Sequence, residues 1–393
     1  MINYKLKDLI KIHNGTKYSH LETGNIPLYG SGGIMSYVND FLYDGEAVLL
    51  PRKGTLSNIM YTNGKIWTVD TMYYATTNEK VNPYYLYCYL SLLDLKHLDS
   101  GSALPSMTKS VYEDLEIKLP NIQTQKSIAK VLSDLDAKIE LNNKINQELE
   151  AMAKTLYDYW FVQFDFPDKN GKPYKSSGGK MVYNEELKRE IPEGWEVKKL
   201  SEISSFISRG ISPKYIEEGG SCVINQKCVR QGTVLFEQTR RNNESLRDSS
   251  KKRVELYDVL VNSTGVGTLG RVSLVRRLPE EIVTVDSHVT IVRCDVNQIS
   301  KFYFGYSLLQ KQLELESFSL GSTGQVELSR NQLENVNLII PPIDLQQKFD
   351  EIYNPVCEKL ANNEIQNKDL TELRDWLLPM LMNGQVTDKE AGD

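Results

Sequence analysis

Two long stretches of this chain keep apolar residues at helical spacing, Pro120 to Trp160 and Pro341 to Leu381. Elsewhere apolar residues come in short runs cut by Gly, Asn, Asp and Pro. The two stretches align without a gap. Pro120/Pro341, Ile122/Ile343, Gln125/Gln346, Lys138/Lys359, Asn142/Asn363, Asn146/Asn367, Leu149/Leu370 and Leu156/Leu377 are identical, and Val131/Ile352, Leu135/Val356, Ile139/Leu360 and Met152/Leu373 keep apolar character. The chain reads as one plan written twice.

Leu135, Ile139, Asn142, Asn146, Leu149, Ala153, Leu156 and Trp160 follow the roughly 3.5-residue spacing of a coiled-coil seam, which asks for a partner helix. Asn at a seam position costs stability and fixes register. Two readings of the repeated Asn pair stand at this stage. Either the apolar stripe drifts past them and leaves them on the surface, or the two helices pair antiparallel about Lys144 and Ile365, bringing Asn142 towards Asn367 and Asn146 towards Asn363. Each region is expected to open with a short helix and break before the long one, at Ser133/Asp134 in the first copy and at Pro355 in the second. The long helices would then cover about 134–160 and 355–378.

The residues before each helical stretch predict short strands with few helices: strands over Ala47–Leu50, Ile59–Thr62, Thr68–Ala75 and Leu115–Leu119, and a helix over Pro83–Leu95 with Pro in its first turn. The second half repeats that order, with Tyr43-Asp44 answered by Tyr257-Asp258, Gly54-Thr55 by Gly267-Thr268, Thr68-Val69-Asp70 by Thr284-Val285-Asp286, Gly101-Ser102 by Gly321-Ser322, and Leu115-x-Ile117-x-Leu119-Pro120 by Val336-x-Leu338-x-Ile340-Pro341. The expected organisation is a first mixed α/β domain over 1–119, a helical region over 120–166, a Gly-, Pro-, Lys- and Ser-rich linker over 167–190, a second domain over 191–340, a second helical region over 341–386 and a polar tail over 387–393.

A composition of 40% apolar and 25% charged residues fits a folded chain with sizeable cores. No run of about 18 apolar residues is present to span a bilayer and the start of the chain lacks a signal-peptide pattern, so a cytoplasmic protein without membrane partners is expected. Cys88, Cys222, Cys228, Cys294 and Cys357 are scattered, and His13, His20, His97 and His288 carry no ligand spacing, so neither disulfides nor a metal site is expected. The formal charge of −6 changes meaning once its distribution is read. Asn225 to Arg277 holds eleven basic residues against five acids, a local charge of +6.

Basic residues interleaved with amides are what a duplex surface demands, since Arg and Lys suit phosphates and guanine edges while Asn and Gln suit adenine edges. The candidate contacts with double-stranded DNA are Arg52, Lys53, Ser57 and Asn58 in the first domain. Those in the second are Gln226, Lys227, Arg230, Gln231, Arg240, Arg241, Asn242 and Arg271. Gly265-Val266-Gly267-Thr268-Leu269-Gly270 satisfies a dinucleotide fingerprint, yet the strand-like Arg271-Val272-Ser273-Leu274 follows where a helix is required, so these glycines are read as a hairpin bringing Arg271 to a surface. Asn82-Pro83-Tyr84-Tyr85 and Pro167-Asp168 are the motifs on which a stand-alone adenine methyltransferase or a nuclease would rest. Neither has the cofactor loop or metal-ligand partners it needs. No catalytic constellation and no cofactor are expected. A scaffold without DNA contact is the remaining alternative.

Several phrases together resemble the DNA specificity subunit of bacterial type I restriction-modification systems: Leu132 to Pro167, the linker Pro173 to Val182, Ile191 to Leu200, Gly265 to Val272 and Glu372 to Val386. The chain departs from that pattern at Thr124-Gln125 and Leu345-Gln346, where the family usually has Glu-Gln, and the first domain lacks a PEGW-type opening. The resemblance implies two pseudo-repeated target recognition domains, each reading one half of a bipartite asymmetric site, joined by two long antiparallel coiled-coil helices. It implies that the helices space the readers and dock two methyltransferase subunits, to which endonuclease/translocase subunits are added, and that catalysis belongs to those partners. A helix of about 26 residues spans roughly 40 Å, close to one turn of DNA.

Overall fold

The computed structural model describes residues 1–95, 105–318 and 327–385. His97, the Gly101-Ser102 and Gly321-Ser322 pair, and the tail 387–393 lie outside the described residues. Contacts divide the chain into two compact units, Met1–Asn142 with Gln366–Asp393, and Asn143–Ile365.

In the first unit β1 (Ile2–Lys5) pairs with β8 (Glu116–Leu119), and a six-stranded sheet takes the order β2 (Ile10–Asn14), β7 (Met72–Thr77), β5 (Tyr43–Pro51), β6 (Met60–Thr68), β3 (Thr23–Gly30), β4 (Gly33–Val38). The central strand β5 reads as a continuous apolar run from Ala47 because both its faces are covered. Val48 and Leu50 join the core with Ile12, Tyr73, Ala75 and Tyr85, while Ala47 and Leu49 pack with Ile66 and Met72. The expected strand Thr68–Ala75 is two strands: Val69 to Thr71 form a turn, because the Val69 N–H donates to the Tyr29 carbonyl of β3 while Met72 onward pairs with β5. Helix α1 (Pro83–Ser91) stops short of Leu95. Its N-cap is Asn82, whose Oδ1 accepts the Tyr85 N–H at 2.9 Å. A short α2 (Lys109–Glu113) precedes β8.

The second unit carries a connector before its sheets. Residues 167–190 are not a plain linker: Asp168 accepts the N–H groups of Asn170 and Lys172, and β9 (Met181–Asn184) pairs with β10 (Arg189–Pro192). One four-stranded sheet has the order β12 (Ser204–Arg209), β21 (Val289–Cys294), β18 (Val259–Asn262), β19 (Val272–Leu274). The other has β13 (Tyr215–Ile216), β17 (Arg240–Asn242), β14 (Ser221–Ile224), β20 (Val283–Val285). Two-stranded pairs join β11 (Glu196–Lys199) to β22 (Asn337–Ile340), and β15 (Val229–Arg230) to β16 (Thr233–Val234). Helices α4 (Lys301–Gln310), α5 (Gln312–Ser317) and α6 (Arg330–Glu334) complete it.

The duplication is written into the hydrogen-bond register. In each unit a glycine leaves the edge strand so close to a neighbouring turn that no Cβ fits. One on Gly15 would stand 1.9 Å from the Val69 carbonyl oxygen, and one on Gly210 the same distance from that of Val285. Gly15 bonds Met72 and Gly210 bonds Val289, which makes those strand starts equivalent. From there Pro51 opposite Met72 matches Asn262 opposite Val289, and the bridge Lys53↔Ser106 matches Thr264↔Glu327. Two of the sequence pairings shift as a result. Ala47, not Asp44, corresponds to Asp258, and Gly54 corresponds to Gly265 rather than Gly267, because strand pairing rather than residue identity sets the frame.

Helix α3 (Ile122–Tyr157) ends in a π-turn, Asp158–Val162, and α7 (Ile343–Met382) runs its full length. The expected breaks at Ser133/Asp134 and Pro355 do not occur, nor do separate short helices. Pro355 and Glu351 are both exposed, so the carbonyl that a residue 355 N–H would have served is open to water, and a helix interior tolerates the ring there. The two helix starts share one anchor. Gln125 and Gln346, each 1% exposed, accept the N–H of Asn82 and of Ser300 at 3.0 and 2.9 Å and donate to the carbonyls of Pro120 and Pro341 at 3.0 and 2.7 Å. This accounts for the Gln125/Gln346 identity in the repeat.

Candidate nucleic-acid interface

The loop after β5 gathers several of the first unit's polar groups. Arg52 donates to the Asp70 carbonyl at 3.2 Å and lies 5.9 Å from the Tyr73 ring, while Asn58 Nδ2 donates to the Ser31 carbonyl at 2.9 Å. The backbone of Arg52 bonds Thr71 and Met107, and Gly54 bonds Pro105. Three turns are thereby tied beneath one loop whose Lys53, Thr55 and Ser57 are exposed. Asn58 spends its amide donor on that scaffold. Lys109, unmarked in the sequence, is 5.7 Å from the Tyr73 ring and donates to the Ile12 carbonyl.

In the second unit β18 and β19 are antiparallel neighbours, and residues between them form the glycine-rich connection. A hairpin is therefore what the fingerprint-like sequence builds, and the missing helix excludes the dinucleotide geometry. Arg271 is half-buried and its NH2 donates back to the Gly267 carbonyl at 2.8 Å. Gln226 lies against this loop, since a Cβ on Gly265 would meet its Oε1 at 2.9 Å, and the Gln226 carbonyl accepts from Asn262 Nδ2. Thr264 bonds His288 at 2.6 Å on the same loop. Asp286, two residues away, has its carboxyl pushed above the usual range by burial, with the His288 N–H bond opposing. Exposed Lys227 follows Gln226, and Arg240 stacks 3.4 Å over the Tyr215 ring.

The remaining candidates fall elsewhere. Arg241 points to the start of β14, bonding the carbonyls of Gly219 and Gly220 and pairing with Glu280 at 2.8 Å. Asn242 is fully buried. Its Nδ2 serves Glu244 and the Arg247 carbonyl and its Oδ1 accepts the Lys214 N–H, so it holds a loop together and offers nothing to a partner. Arg230 and Gln231 are exposed on a turn beside α4 and α7, where Thr233 donates to Glu364 at 2.9 Å. The +6 stretch is thus not one patch. Arg276 and Arg277 are also absorbed, by Glu150 at 3.3 Å and Glu364 at 3.5 Å. Residues far apart in sequence, Tyr215, Thr264 and His288, enter the surface instead. The repeated Thr-Val-Asp turn was the sequence signal for His288; nothing in the sequence marked Tyr215.

Along the helices, Asn142 donates to Gln366 at 2.7 Å and Asn367 at 2.9 Å in the first unit, and Asn363 donates to Asn146 at 2.7 Å in the second. Asn142 and Asn363 are buried. The motifs behind a catalytic reading have local structural uses: Asn82 caps α1 and Asp168 closes a turn. Among the described residues no group of His, Cys, Asp and Glu could hold a metal, all five cysteines are free thiols, and no helix is long and apolar enough to cross a membrane.

Residues 1–151 and 192–372 match the sequence profile described as "Type I restriction modification DNA specificity domain". Among similar curated proteins, the MjaIX type I restriction enzyme specificity subunit of Methanocaldococcus jannaschii is 32% identical over 312 residues, covering 78% of this chain and 69% of the relative. The HindI specificity subunit of Haemophilus influenzae is 26% identical over 340 residues, covering 73% and 72%. The crystal structure of a type I restriction-modification S subunit from M. genitalium shares the fold, with a TM-score of 0.63 at 16% identity over 97% of this chain and 95% of that one.

Proposed function

The chain belongs to the family of type I restriction-modification DNA specificity subunits, and from that premise we propose that it is a non-catalytic reader of a bipartite, asymmetric DNA site. Residues 1–119 and 191–340 act as the two recognition domains, each addressing one half-site. The helical regions 120–166 and 341–386 pair antiparallel as a coiled coil, with Asn142, Asn146, Asn363 and Asn367 fixing the register. They set the gap and dock two methyltransferase subunits, which endonuclease/translocase subunits then join.

The observation that carries this reading is the duplicated register with unlike loops. The same strand ends lead into Arg52, Lys53 and Thr55 in one unit and Ser263, Thr264 and Val266 in the other, with Gln226 and His288 on loops that touch this second one. One backbone plan with two sets of side chains predicts two different half-sites. Exposed Lys53, Lys227 and Arg240 suit phosphates, which supply affinity, while Gln226 and the loop tips suit base edges.

The test is a domain exchange. Residues 1–119 are replaced by the first domain of another specificity subunit, the chain is co-expressed with its methyltransferase subunit, and N6-methyladenine is mapped across the host DNA. One half-site changes and the other stays. A continuous, ungapped methylated motif, or a change in both halves, refutes the two-reader arrangement.

A further inference from the structure

We propose that the residue after the positive-φ glycine at the tip of the loop following the central strand is a base-reading position in both units, Thr55 in the first and Val266 in the second, and that Val266 reads the methyl group of a thymine. The proposal rests on the DNA-recognition reading above and adds to it a named position and a chemical class of contact.

The two positions are equivalent in the fold. Counting from the matched bridges Lys53↔Ser106 and Thr264↔Glu327, the next residue is Gly54 at φ +90° in one unit and Gly265 at φ +105° in the other, and each is followed by an exposed β-branched residue. In both, a glycine in a conformation that L side chains rarely adopt turns the chain outward immediately before that residue. Thr and Val have nearly the same shape and differ by a hydroxyl against a methyl. Two copies of one loop thus hold isosteric side chains of different hydrogen-bonding character at one place, which is the difference a reader of two half-sites needs.

Val266 is 99% exposed. A single exposed valine is ordinary on a protein surface; this one stands on a fixed pedestal among polar groups. Thr268 and Leu269 donate to the Gly265 carbonyl, Gly270 donates to that of Asn262, Arg271 bonds Gly267, and Leu269 is buried beneath. Val266 has neither donor nor acceptor. In the major groove the one base feature it can favour is the C5-methyl of thymine. Thr55 can reach the same methyl and also hydrogen-bond.

The experiment uses the full chain assembled with its methyltransferase subunits, on the duplex defined by methylation mapping. Each thymine of the second half-site is replaced in turn by deoxyuridine, which lacks only the methyl, and affinity is measured by fluorescence anisotropy. One replacement is expected to weaken wild-type binding roughly fourfold, the factor for one methyl-sized group removed from water. Val266→Ser loses sensitivity at that position alone, with the salt dependence of binding unchanged because no phosphate contact is removed. Thr55→Val leaves the second half-site profile as it was. A second half-site without A·T pairs, no deoxyuridine effect, or an effect equal in wild type and Val266→Ser overturns the proposal while leaving the recognition reading intact. A wild-type complex that does not distinguish its methylated target from a scrambled duplex overturns both.

Discussion

Replacing Asn142 by aspartate changes one NH2 group into an oxygen and nothing else in shape, yet it inverts the chemistry of a side chain that is 1% exposed. Asn142 Nδ2 donates to two acceptors, Gln366 Oε1 at 2.7 Å and Asn367 Oδ1 at 2.9 Å, while its own Oδ1 is buried without a partner. In Asn142→Asp both donated bonds become contacts between oxygens. Their loss costs about 1 kcal/mol each, and a buried carboxylate adds a charge penalty. Proton uptake caps that penalty. Holding an aspartic acid neutral at pH 7 against an ordinary value near 4 costs about 4 kcal/mol, and about 1.5 kcal/mol at pH 5. The neutral acid regains one donor, so the total is about 5 kcal/mol at pH 7 and about 2.5 kcal/mol at pH 5. The sign follows from linkage: the folded variant holds its proton more tightly than the unfolded chain, so stability is recovered as pH falls. Urea unfolding followed by circular dichroism at both pH values measures it, with Asn142→Leu as the control that removes the unpartnered oxygen. An Asn142→Asp variant within 0.5 kcal/mol of wild type at both pH values would refute the buried register contact.

Three further outcomes follow from the fold. Gln346→Leu leaves the Ser300 N–H and the Pro341 carbonyl unpaired in an apolar setting, and is expected to cost about 2–4 kcal/mol in chemical unfolding, with Gln125→Leu giving a similar loss; a neutral result removes the anchor role. Gly210→Ala places a Cβ 1.9 Å from the Val285 oxygen and is expected to lose at least about 3 kcal/mol in thermal unfolding, whereas a wild-type melting temperature shows that the close approach can relax. Burial pushes the Glu244 carboxyl upward, but hydrogen bonds from Ser221, Asn242 and Ser249 together bring it below the ordinary glutamate range. Its stabilisation is present above the unfolded value and lost as pH falls through the folded one. The stability gap between wild type and Glu244→Gln therefore closes on acidification, and a gap independent of pH contradicts this.

The ungapped helical repeat was legible because helix period and side-chain identity are local properties; Gln125 and Gln346, identical without evident reason in the sequence, carry the same bonds in both units. Pro355 misled because its cost depends on whether the orphaned carbonyl meets water, which a sequence does not record. The surface was harder to read. Adjacent Arg240 and Arg241 look alike in a sequence, yet one stacks on Tyr215 and the other is held by Glu280 at the start of β14. Asn242, polar and next in line, is entirely inside.

The sequence by itself determined the duplication, the long helices, the glycine hairpin and the family resemblance, since each rests on spacing along the chain. Tertiary structure alone decided which polar residues are offered outward, because a strand turns successive side chains to opposite faces and a buried charge must find a partner in the fold. It also decided which residues are equivalent between the copies. Strand pairing, set by the register of backbone hydrogen bonds, aligned Gly54 with Gly265 where residue identity had aligned it with Gly267.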